Sequence, residues 1–61
     1  MTLKRRKAIL QHIDDKFAWP EDSTEAEQAE LVKTGFAFVD GAVQLTSLGE
    51  LEVGYEELKP I

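Results

Sequence analysis

The chain has 61 residues, no cysteine, one histidine and a formal net charge of −5. Length allows one domain at most, with a folded surface of about 4,000 Å² against roughly 10,000 Å² for the open chain. Missing cysteines exclude disulfides and thiolate metal sites, and a single His makes no metal site alone. No apolar run is long enough to span a membrane and no leader pattern is visible, so the expected compartment is the cytoplasm. Hydrophobic content of 43% is enough for a folded domain.

Charge is unevenly placed. Residues 1–20 carry +3 and residues 21–61 carry −8. A net negative chain repels nucleic acid and anionic membrane in general. The exception is local: Lys4, Arg5, Arg6 and Lys7 stand together near the start.

The first predicted element runs from about Leu3 to Phe17. Leu3, Leu10, Ile13 and Phe17 recur near helical spacing, with Ile9 widening the stripe. Thr2 is placed to cap it. Four bases in the first turn oppose the helix dipole, at a modest cost of roughly 0.3–1 kcal/mol each when exposed. Trp19-Pro20 bars continuation, because the residue before proline is pushed out of the helical region. The second helix starts after Glu21-Asp22-Ser23-Thr24. Thr24 with Glu27 fits a capping box, and Asp22 with Glu25 is a competing register. It should reach about Thr34, turn Ala26, Ala29, Val32 and Leu31 inward, and stop at Gly35.

Phe36 to Leu45 is the clearest local signal. Asp40-Gly41 between two β-prone runs predicts a two-residue type I′ hairpin. Pairing outward places Phe38 opposite Val43 and Phe36 opposite Leu45. Phe36, Phe38, Val43 and Leu45 then share the buried face. The last helix is expected from Thr46 or Ser47, with Ser47 and Glu50 as its capping box. Leu48, Leu51, Tyr55 and Leu58 fall at helical spacing, and Pro60 closes it. The expected fold is α+β: one domain over residues 1–61, in the order helix, helix, β-hairpin, helix.

Leu31-Val32-Lys33-Thr34-Gly35-Phe36, then Asp40-Gly41, then Leu45-Thr46-Ser47-Leu48-Gly49, resembles the second half of bacterial winged-helix regulators of the multidrug-resistance-repressor type. The resemblance covers about residues 29–50 and implies a reduced winged-helix-like fold. It also implies DNA binding as a dimer, with Lys4, Arg5, Arg6, Lys7 and Lys33 on phosphates. The chain departs from that pattern where DNA would be read. Only one helix precedes Asp22, and the Trp19–Asp22 turn stands in for another. The helix in the recognition position carries Glu25, Glu27 and Glu30, which repel phosphates. Gln28 alone there could reach adenine. The hairpin tip lacks the usual arginine.

No catalytic constellation rises above background. Asp14 and Asp15 are adjacent and face different directions, and His12 with Asp15 lacks a positioned nucleophile. The expectation is therefore a non-enzymatic regulator or inhibitor of the phage or mobile-element kind, without cofactor or metal. It would bind a protein partner through Glu25, Glu27, Glu30, Trp19 and Val39. The alternative is the dimeric DNA-binding regulator. A homodimer is expected in either case, through the first or last helix. Replacing Lys4, Arg5, Arg6 and Lys7 by Gln is expected to leave the fold intact, since the inward stripe is untouched.

Overall fold

The computed structural model describes residues 1–54. Its elements are α1 (Leu3–Lys16), α2 (Glu25–Lys33), β1 (Ala37–Asp40), β2 (Ala42–Leu45) and α3 (Ser47–Gly54). The fold is α+β, with the expected order of helix, helix, antiparallel hairpin and helix, consistent with a reduced winged-helix-like arrangement. Tyr55, Leu58 and Pro60, expected to extend and close the last helix, lie outside the described residues.

Local chemistry sets most boundaries. Thr2 caps α1 by accepting from the Arg5 amide at 3.1 Å. Thr24 and Glu27 form the complete capping box of α2, which removes the Asp22–Glu25 register. Between them the chain turns at Glu21-Asp22, where Ser23 bonds back to the Pro20 carbonyl. The α2 end is a Schellman motif: the Phe36 amide reaches Leu31 O and the Gly35 amide reaches Val32 O, with Gly35 at φ +89°.

The end of α1 is less ordinary. Phe17 takes the left-handed conformation at φ 55°, the one non-glycine among the described residues to do so. A bulky side chain pays for that geometry with a Cβ–carbonyl clash of about 1–2 kcal/mol. Phe17 is also 57% exposed, so little packing offsets the strain. Phe17→Gly is expected to raise stability by roughly 1 kcal/mol. Chemical denaturation checks it: a lower midpoint would show that Phe17 makes a contact worth more than its strain.

The core joins all five elements. Ile9, Leu10 and Ile13 of α1, Leu31 of α2, Ala37 of β1 and Val43 of β2 are buried, with Trp19, Phe36, Leu45 and Val53 packed around them. Several expected inward positions are corrected. Leu3 and Phe17 mark the ends of the predicted α1 stripe and are both exposed; only Ile9, Leu10 and Ile13 in its middle are buried. In α2 only Leu31 is buried; Ala26, Ala29 and Val32 are exposed. In α3, Leu48 and Leu51 point outward while Gly49 and Val53 turn inward.

The hairpin is formed but slipped by one residue from expectation. Phe38 pairs with Gln44, Val39 with Val43, and Asp40 with Ala42 across Gly41. The turn is not type I′, since Gly41 has positive φ (76°) and Asp40 does not. The buried face therefore takes Ala37 with Val43, and Phe38 is left 40% exposed. The cause lies at the hairpin base. The Thr46 amide donates to Phe36 O at 3.0 Å, which sets Phe36 opposite Thr46 rather than Leu45.

Thr46 also replaces Ser47 as the cap of α3. Its hydroxyl accepts from the Gly49 amide at 3.2 Å and donates to the Gly35 carbonyl. One side chain thus ties the end of α2, the hairpin base and the start of α3. Gly49 makes the tie fit. A Cβ there would collide with the Phe36 carbonyl oxygen and sit 3.1 Å from its carbon.

Candidate functional site

The N-terminal bases do not form a bare cationic patch. Arg5 reaches from α1 to the start of α2. Its Nε donates to Glu27 Oε2 at 2.8 Å and its Nη2 to Glu27 Oε1 at 3.1 Å, a bidentate pair. Its Nη1 donates to Asp22 Oδ2 at 3.2 Å, and Nη2 also reaches the Asp22 carbonyl at 3.1 Å. Glu27 Oε1 meanwhile accepts from the Thr24 amide at 2.9 Å. The capping acid of α2 is thus also the counter-ion of α1.

Arg6 makes a second strut, toward α3. Its Nε donates to Glu52 Oε1 at 2.9 Å and its Nη2 bonds the same oxygen. The guanidinium lies 4.7 Å from the centre of the Phe36 ring, within cation–π range. These pairs answer the dipole conflict seen in the sequence. The first turn of α1 contains no acid of its own; Asp22 and Glu27 supply negative charge there from across the fold.

Four Gln substitutions would leave the buried stripe of α1 untouched, as expected, but would also remove these ion pairs. Arg5 and Arg6 hold α1 to α2 and to α3, so their loss removes tertiary contacts as well as charge. Lys4 and Lys33 are exposed and Lys7 is half-buried. Of the acidic candidates, Glu27 belongs to the Arg5 pair. Glu25 and Glu30 are exposed on α2, with the Met1 amino group 4.0 Å from Glu30. Trp19 is half-buried against the core, and Val39 is 59% exposed beside the hairpin turn. Gln28, the one base-reading side chain in the recognition position, donates to Ser23 Oγ at 3.0 Å. The structure thus brings together Arg5, Asp22 and Glu27, and separately Arg6, Glu52 and Phe36. The pairing of Asp22, Phe36 and Glu52 with these arginines carried no signal in the sequence, because it crosses 17 to 46 residues of chain.

The Arg5 guanidinium, then the Thr24 amide, hold the Glu27 carboxyl down at about 2, against 4.5 for an ordinary glutamate. Arg5 is pushed upward by its bonds to Glu27 and then to Asp22 and stays charged throughout. Because the folded value lies below the unfolded one, Glu27 adds stability above about pH 4.5 and loses it as pH falls toward 2. Melting temperatures measured between pH 6 and 2 should fall more steeply for the wild-type chain than for Glu27→Gln. Parallel curves would mean that the pair does not hold in solution.

Among the described residues no cavity is found and no group of His, Asp and Glu is placed to hold a metal ion. No helix among them is long and apolar enough to cross a membrane. What the described surface offers is relief and charge: exposed carboxylates on α2, Val39 exposed beside the hairpin turn, and leucines on the outside of α3. Comparison with known proteins finds no matching family model, curated protein or solved structure.

Proposed function

We propose that the chain is a small non-enzymatic regulator or inhibitor, of the phage or mobile-element kind, that works by binding a protein partner through its winged-helix-like scaffold. The same reading has it act in the cytoplasm. The observation that carries it is the commitment of Arg5 and Arg6 to Glu27, Asp22 and Glu52. Phosphate binding needs cations that are not already neutralised, and here two of the four clustered bases already serve carboxylates. The helix in the recognition position meanwhile shows Glu25 and Glu30 to solvent. Such a surface suits a basic protein partner, through encounter rate and specificity above all.

Affinity capture from host lysate tests the reading by comparing baits. A protein retained by the wild-type chain should be lost from Glu25→Lys/Glu30→Lys and kept by Lys4→Gln/Lys33→Gln. Glu27 stays untouched, since its reversal would break α2's cap. Retained material that disappears on nuclease treatment would overturn the reading.

A further inference from the structure

The outer side of α3 carries two exposed leucines although its inner side already serves the core. Gly49 is buried and Val53 packs on the core, while Glu52 pairs with Arg6. At 100° per residue Leu51 points away from that side, with Leu48 next to it on one flank and Ser47, Gly54 and then Glu50 at the rim of the other. Leu48 is 47% and Leu51 58% exposed, and Glu50 is exposed. A helix apolar on two sides is normally covered on both.

Charge selects what covers it. Ser47–Gly54 contains two glutamates and no basic residue, and Arg6, which reaches α3 from α1, is spent on Glu52. A second copy laid α3 on α3 would set Glu50 toward Glu50 between two chains of charge −5. An anionic lipid surface is repelled for the same reason. We propose that Leu48 and Leu51, with Glu50 at their edge, dock an amphipathic helical segment of a protein partner whose apolar stripe is bordered by Lys or Arg. This rests on the protein-binding reading and names the surface and the chemistry of the partner.

The probe is a designed Leu/Lys amphipathic peptide of about four turns, with a Leu/Glu peptide of the same spacing as its control. Amide resonances of the full chain are followed during titration. The Leu/Lys peptide should shift Ser47–Gly54. Leu51→Asp and Leu48→Gln should each weaken binding at least about tenfold while keeping a dispersed spectrum, as loss of a central apolar anchor does. Glu50→Lys should weaken it less, and the Leu/Glu peptide should leave α3 unmoved. Shifts confined to other elements, equal binding of both peptides, or a Leu51→Asp chain that binds like wild type would overturn the proposal. So would α3 resonances that move on dilution without peptide, which would assign the surface to a second copy. If α3 stays silent while the α2 reversal still loses a captured protein, the docking surface fails and the protein-binding reading stands. If α3 binds the probe but only nucleic acid is captured, the reverse holds.

Discussion

Gly49→Ala is expected to be among the most damaging single changes in the chain, at a cost of about 3 kcal/mol. Helix propensity alone argues the other way, since Ala in a helix interior gains roughly 1 kcal/mol over Gly. Geometry decides the sign. The new Cβ would overlap the Phe36 carbonyl oxygen and crowd the Leu45 side chain at 3.2 Å. That oxygen is fixed in place, because it accepts the Thr46 amide that sets the hairpin register. Relief therefore requires α3 to move off the hairpin, which also loosens the Arg6–Glu52 strut. A chain of this length has about 3–9 kcal/mol of total stability, so much of it would be unfolded at ambient temperature. Urea denaturation reads the effect directly. An unchanged or raised midpoint would mean that α3 does not sit where the fold places it.

Leu31→Ala should cost about 3 kcal/mol, while Val32→Ala beside it costs under about 1. Leu31 is fully buried and is the sole buried residue of α2; Val32 is 43% exposed. The Leu31 carbonyl also accepts the Phe36 amide, so α2, the Schellman stop and the first strand share one anchor. A nine-residue helix is marginal without tertiary packing. Its removal should therefore appear as lost helix signal as well as a lower midpoint. Equal effects of the two substitutions would contradict the packing of α2.

These two positions show what the sequence could and could not reveal. Caps and stops are local, so Thr2, Thr24 with Glu27, and Gly35 were legible. So was the existence of the hairpin around Gly41. Its register was not, because Thr46 sets it from outside the turn by pairing with Phe36. The choice between Leu31 and Val32 was equally hidden, since a short helix with apolar residues on several sides has no single periodic face. At the candidate site, the basic cluster and the acidic helix were both visible as composition. That Arg5 joins Glu27, and Arg6 joins Glu52 under Phe36, is a product of tertiary approach and leaves no trace in spacing. This pairing ties two of the four clustered bases to α2 and α3.

The most direct measurement of the central claim is a titration of random-sequence duplex DNA at low and at about 150 mM salt. With Arg5 and Arg6 paired to carboxylates and Glu25 and Glu30 outward on α2, the expected result is weak retardation at low salt and none at the higher value. Tight duplex binding at about 150 mM salt, lost in Lys4→Gln/Lys33→Gln and kept in Glu25→Lys/Glu30→Lys, would contradict it.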